Sequence, residues 1–201
     1  MWRTSAFLSV SILAMASSGC STLIKQSYYG VKGASGKFYE VKVVDSATLT
    51  QYKRVKFAPF TSGLGEHVPE EMITELNGRA PEALAEAYLF YPEGKTLRIT
   101  GNVIHYTGKS GLAGSLGNTI GGRDECVCRM QLHDDETGTL IGEAVCWGVV
   151  KSAVRRGADE LGEGVGKGVA KWFEDRFGEA EVEKRRADLK PKVDDEEDDK
   201  E

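Results

Sequence analysis

Nowhere in these 201 residues is there an apolar run long enough to cross a bilayer. A spanning helix needs about 20 such residues, and the best candidate, Ala6–Ala16 (AFLSVSILAMA), is a mostly apolar stretch of eleven. Histidine is scarce, with three in the chain at positions 67, 105 and 133, and none of the four cysteines forms a C-x-x-C pair. That thins the field for metal centres, catalytic triads and thiol redox chemistry. Clustered basic surface is missing as well. The net charge is −5, and the last eight residues, Asp194–Glu201 (DDEEDDKE), hold seven acids and one lysine, a net −6 by themselves. The remainder is close to neutral, which argues against nucleic acid as a partner, because phosphate binding needs concentrated positive charge. The one basic cluster, Lys184-Arg185-Arg186, sits among glutamates and reads as a solvated helix end.

The amino terminus shows what is present. Arg3, the eleven-residue apolar stretch and the small residues after it have the form of an export signal. Two processing readings compete. Ala14-Met15-Ala16 satisfies the A-x-A rule and would release a soluble periplasmic or secreted protein beginning at Ser17. Ser17-Ser18-Gly19-Cys20 resembles a bacterial lipobox, in which Cys20 is acylated and becomes the first mature residue; Ser17 stands where lipoboxes usually carry Leu. The lipoprotein reading is preferred. Each buried lipid CH₂ contributes about 0.8 kcal/mol, so two or three acyl chains anchor firmly. Ser21 after the cysteine, where Asp would signal inner-membrane retention, resembles the outer-membrane sorting pattern of Gram-negative bacteria, with the protein facing the periplasm.

Four segments follow: a signal peptide over 1–19, a lipidated Cys20 with a flexible tether over 20–37, an α/β domain over 38–178, and a charged, disordered acidic tail over 179–201. Within the domain, Phe38–Val44 and Tyr52–Phe60 are rich in β-branched and aromatic residues and predict strands. Pro69–Tyr91 predicts a helix, with Met72, Leu76, Leu84 and Tyr88 near helical spacing and a kink or division at Ala80-Pro81. Leu97, Ile99 and Val103 alternate with polar residues as a third strand. Arg155–Phe177 predicts the last helix, its apolar stripe formed by Leu161, Val165, Val169, Trp172 and Phe173. A second stripe of small residues (Ala158, Gly162, Gly166, Ala170) suggests close approach of that helix to the sheet. The order β-β-α-β-β-β-α gives a two-layer α/β sandwich, a mixed sheet of about five strands packed by two helices.

The glycine-rich loop over 108–122 (GKSGLAGSLGNTIGG) invites a catalytic reading and fails it. A phosphate-binding loop requires G-x-x-x-x-G-K-[ST]; Gly108-Lys109-Ser110 supplies the end, but Val103 occupies the first glycine position. Ser115 in Ala113–Gly117 (AGSLG) matches a nucleophile-elbow variant without the buried strand that strains such a serine outward. No catalytic residue and no cofactor is assigned. Long connectors in compact domains are functional or disordered, and Leu112, Leu116 and Ile120, spaced by four, are assigned as a partner-docking loop.

The clearest local structure comes next. In "ECVCRMQLHD" the residues Cys126, Cys128, Met130 and Leu132 share one face, and Val127, Arg129, Gln131 and His133 the other. Asp135-Glu136-Thr137-Gly138 fits a type I turn closed by a left-handed glycine. That hairpin sets Cys128 opposite Cys146. Three cysteines then converge, but zinc takes four ligands and His133 points the wrong way, so no metal is assigned. In an oxidising envelope a Cys128–Cys146 disulfide is expected; three reduced, packed thiols are the alternative.

Together the Gly19-Cys20 signal, the "VKFAPF" strand, the glycine-rich stretch and "MQLHDDETGTLIGEAV" before a closing helix resemble uncharacterised bacterial outer-membrane lipoproteins. The small α/β domain is similar to that of LpoB and to the amino-terminal domain of TolB. The resemblance implies an envelope lipoprotein acting as a non-catalytic binding or assembly module with an envelope protein as partner. The competing class is a hydrolytic or metal-dependent enzyme with an unrecognised site.

Overall fold

The computed structural model describes residues 34–108, 124–150 and 157–190. Strands are β1 (Ser35–Lys42), β2 (Arg54–Phe57), β3 (Thr61–Ser62), β4 (Thr96–Thr107), β5 (Asp124–Asp134) and β6 (Leu140–Val150). Helices are α1 (Ser46–Leu49), α2 (Glu70–Ala85), α3 (Ala158–Phe177) and α4 (Glu179–Leu189), with one 3₁₀ turn at Gly65–His67. The sheet runs β1-β6-β5-β4-β2, with β3 also beside β4. Neighbours from β1 to β4 are antiparallel, while β2 and β3 lie parallel to β4. Parallel neighbours need a crossover, and α2 supplies it between β2 and β4. The α/β sandwich expected from the element order is the architecture observed, with the mixed sheet extended to six strands.

The predicted hairpin is present. From Asp124 to Leu132 the β5–β6 register is the one the turn implied, Cys128 facing Cys146, and a single shift after Leu132 absorbs the turn. Gly138 has φ 72° and its N–H bonds the Asp134 carbonyl at 2.8 Å. Leu97, Ile99, Val103, Met130, Leu132, Ala144, Val165, Val169, Trp172 and Phe173 are buried together beneath the helices. Fully burying one such aliphatic or aromatic side chain contributes about 1.5–3 kcal/mol. Phe90, Phe173 and Phe177 extend this core as an aromatic cluster, with ring centroids 4.9 to 6.0 Å apart.

Three expectations need correction. The first concerns Pro81, which does not divide its helix: α2 is continuous from Glu70 to Ala85. Ala80, Ala83 and Leu84 on either side of the proline are buried, so packing offsets the lost backbone hydrogen bond. The second concerns the stripe of small residues, which meets a helix and not the sheet. A Cβ on Gly166 would lie 2.5 Å from the Ala80 carbonyl oxygen, and one on Gly162 2.9 Å from that of Glu75, both in α2. The sheet contact belongs to the other glycines of α3, Gly164 and Gly168, which meet Gly148 and the backbone of β1. Helix and strands touch backbone to backbone there, because neither side carries a side chain.

The third concerns the tail. Glu179–Leu189, expected to be disordered, is helix α4, and Arg185, expected to be solvated, is 0 % exposed. Its guanidinium donates to the carbonyls of Leu89 (2.8 Å), Thr50 (3.2 Å) and Tyr52 (3.5 Å) and to the Glu181 carboxylate (2.7 Å), with its carbon 4.1 Å from the Phe177 ring centroid. Val182 is the one buried apolar residue of α4, with Leu189 half-buried at its end, too thin a stripe to signal burial of the helix. The driving group is a cation, which periodicity cannot mark. The acidic residues 194–201 lie outside the described residues.

Candidate functional site

The strand that ends the sheet also walls a groove. β2 is last in the sheet order, so among the described residues no strand continues the ladder beyond it. Its inner edge is fixed by Arg54 N–H donating to the Lys95 carbonyl (3.1 Å) and Ala58 N–H to that of Ile99 (2.8 Å). Peptide direction alternates along a strand, so Val55 and Phe57 turn their peptide groups outward. At the start of this free edge the Tyr91 N–H donates to the Lys53 carbonyl at 2.7 Å. The segment Phe90–Pro92 therefore stands where a seventh strand would begin, and then departs.

The space beyond it is a groove of about 780 Å³ between β2 and the second half of α2. Val55, Phe57, Pro81, Leu84 and Phe90 make its walls apolar. The alternation that shaped β2 explains the rest: Arg54 and Lys56 project to the exposed side and form a basic rim. Lys56 pairs with Asp135 at 2.6 Å and remains half exposed. Pro59 closes the far end by ending the strand, where Asn77 Oδ1 accepts from the Phe60 N–H at 2.9 Å. A free peptide edge beside an apolar trough can take an extended segment, its main chain pairing with β2 and alternate side chains entering the trough.

The most connected polar group lies nearby and is structural. Asp134, at the end of β5, accepts from Lys95 Nζ (2.7 Å), from the Tyr52 hydroxyl (2.8 Å) and from the N–H groups of Glu136 and Thr137. Lys95 beside it, with the Thr137 N–H and the Tyr52 hydroxyl, holds this carboxyl well below the usual carboxylate range. Burial and the Asp134 hydrogen bond push the Tyr52 phenol up. The Asp134 carboxylate thus ties the N–H groups of the hairpin turn to Lys95 and Tyr52. On the sheet face opposite the helices, Arg129 bonds Glu143 through both Nε and Nη2 at 2.9 Å, and Gln131 adds a third donor at 2.8 Å. This is cross-strand pairing of the kind that stabilises a solvated sheet face.

The cysteines come together as expected, but the expected bridge is absent. Cys126, Cys128 and Cys146 are all free and buried. Cys128 Sγ lies 3.9 Å from Cys126 Sγ on its own strand, and no bond joins it to Cys146 across the hairpin. The hydrogen bond to Cys126 and burial push the Cys128 thiol well up, and burial alone raises that of Cys146. Thiols that resist ionisation are poor nucleophiles and poor metal ligands. Because all three thiols are buried, folded protein will take up iodoacetamide at these positions at least about tenfold more slowly than unfolded protein at pH 8. Mass spectrometry after a timed reaction checks this; three rapid alkylations without denaturant would contradict it.

The three histidines do not meet. His67 ends the 3₁₀ turn, His105 lies exposed on β4, and His133 Nδ1 sits 3.2 Å from the Gly138 carbonyl. Among the described residues no three His, Cys, Asp or Glu side chains are grouped to hold a metal ion. Ser115 and the assigned docking residues Leu112, Leu116 and Ile120 lie outside the described residues, as does Cys20. Sequence reasoning read "YKRVKFAPF" as a half-buried strand but missed the groove. The available signal was the pairing of that strand with Pro81, Leu84 and Phe90, which only the tertiary fold assembles.

No protein-family model and no curated protein matches the chain. Among solved structures, the PelC dodecamer from Paraburkholderia phytofirmans is similar in two crystal forms, at 11% and 10% identity with a TM-score of 0.42 each, covering 68% of this chain and 95% of that one. A "putative lipoprotein" from Caulobacter crescentus CB15 is similar at 11% identity and a TM-score of 0.32, covering 64% of this chain and 97% of that one. Likenesses this distant carry no argument, and no site residue is taken from them.

Proposed function

We propose that this chain is an envelope lipoprotein, held in the outer membrane through an acylated Cys20, whose domain is a non-catalytic binding or assembly module. Its working surface is the β2 groove, which receives an extended segment of an envelope protein partner. The observation that carries this reading is the free peptide edge at Val55 and Phe57 alongside an apolar trough. Affinity then comes from main-chain hydrogen bonds, and selectivity from the side chains that fit between β2 and α2. The sheet face opposite the helices adds exposed apolar groups at Tyr39 and Ile104, 69 and 43 % exposed.

Two measurements test the two halves of the proposal. Cys20→Ser will move the protein from the membrane fraction to the soluble fraction. A mature wild-type chain that begins at Ser17 and carries no acyl mass would overturn the anchoring. For the groove, pull-down from solubilised membranes will recover one envelope complex with the wild type and lose it with Phe57→Glu, a change that puts a charge into the trough at a partly exposed position. Equal recovery by a folded Phe57→Glu variant would remove the groove from the account.

A further inference from the structure

The C-terminal end of the domain lies against the groove. Asp188, next to last in α4, accepts from the Tyr91 hydroxyl at 2.9 Å, and Tyr91 is a wall residue of the groove. Arg186, two residues earlier, donates to the Ala87 carbonyl at 3.2 Å. At Lys190 the backbone leaves the helix in an extended conformation, with φ −65° and ψ 133°. Pro191 follows, and the residue before a proline favours that conformation. Eleven residues remain after Lys190. Extended, they reach about 36 Å, nearly twice the roughly 20 Å of strand and connector from Arg54 to Pro59.

Their chemistry also matches. In an extended chain Pro191 and Val193 would share one side and suit an apolar trough, and a proline needs no ladder donor at a sheet edge. The acids of Asp194–Glu201 would then meet the rim, where Arg54 and Lys56 stand along one strand. We propose that the groove along β2 is occupied by the chain's own C-terminal segment, Pro191–Glu201, docked as an added strand. A partner's extended segment must displace it, so the acidic tail acts as a built-in competitor that sets the threshold for binding. This inference rests on reading the groove as a site for an extended segment.

Amide hydrogen exchange at Val55 and Phe57 tests it, comparing the full-length chain with one ending at Lys190, which keeps α4 whole. Truncation will speed exchange at these two amides at least tenfold while leaving Met130 and Val169 in the core unchanged. Arg54→Glu combined with Lys56→Glu will reproduce the effect in the full chain, and added salt will diminish the protection by screening. Equal exchange in the full and truncated chains overturns the proposal. Protection that rises with protein concentration also overturns it, by assigning the tail to a neighbouring molecule. A neutral probe peptide, acetyl-Thr-Val-Thr-Val-Thr-amide, separates this inference from the reading beneath it. If the probe protects Val55 and Phe57 in the truncated chain while the tail does not, the tail is excluded and the groove stands. If neither protects, both fail.

Discussion

Gly148→Ala will leave the domain unfolded or cost it more than about 3 kcal/mol, the upper end of what overpacking a well-filled interior usually costs. The added methyl would lie 2.3 Å from the Leu161 carbonyl oxygen and 2.9 Å from the Val165 nitrogen. Both are backbone atoms of α3, so no rotamer change relieves the clash and the whole helix must lift. Lifting it would open the layer that buries Val165, Val169 and Trp172. Against a total stability of about 5–15 kcal/mol, that loss is decisive. Gly78→Ala is the matched control: nothing lies within 4 Å of the added atom, and alanine in a helix interior gains about 0.5–1 kcal/mol over glycine. Thermal unfolding followed by circular dichroism should move the two variants in opposite directions. A Gly148→Ala protein that melts with the wild type would show that α3 does not rest on β6 as described.

Arg185→Met will destabilise the fold by about 3–5 kcal/mol, the scale expected when one member of a buried ionic network is removed. Methionine keeps the apolar stem and its contact with Phe177 but removes every donor. The carbonyls of Leu89, Thr50 and Tyr52 and the carboxylate of Glu181 lose the group that joins them. Those carbonyls belong to the two connectors flanking β2, so the damage spreads to the walls of the groove. Arg185→Lys will recover only part of the loss, because an ammonium cannot span partners that a planar guanidinium reaches together. Urea unfolding at neutral pH measures both, and a loss under about 1 kcal/mol for Arg185→Met would show that the clamp does not hold the connectors.

Much of this fold was legible because its signals are local. Alternation in "ECVCRMQLHD" and the turn at Asp135–Gly138 specified both strands of the hairpin and the pairing of Cys128 with Cys146. The stripe from Leu161 to Phe173 specified the face that α3 buries. What escaped depends on groups distant in sequence. The small-residue stripe was visible, but whether Gly166 meets a strand or Ala80 of a helix is decided by topology. Arg185 looks like any surface arginine until Thr50, Tyr52 and Leu89 present their carbonyls to it. The thiols were placed correctly and their oxidation state was not, because the expected bridge assumed sulfurs turned across the hairpin. The groove escaped for the same reason as Arg185, since its walls come from three separate segments.

The pairing of β1 with β6 sets an order on how the domain comes into being. Ser35 and Val149 are partners 114 positions apart in sequence, so the first strand of the domain to be made has no strand to join until the last one exists. Closing so long a loop is entropically slow compared with forming the β5–β6 hairpin, whose strands are joined by a tight turn. Through that interval β1 and the residue that follows it expose Tyr39, Val41 and Val43, which remain 69, 55 and 65 % exposed even when folded. Lys37 and Lys42 within the strand, and the register shift after Glu40, are devices that discourage such an edge from pairing with a stranger. An early strand that must wait for its partner has the greatest need of them.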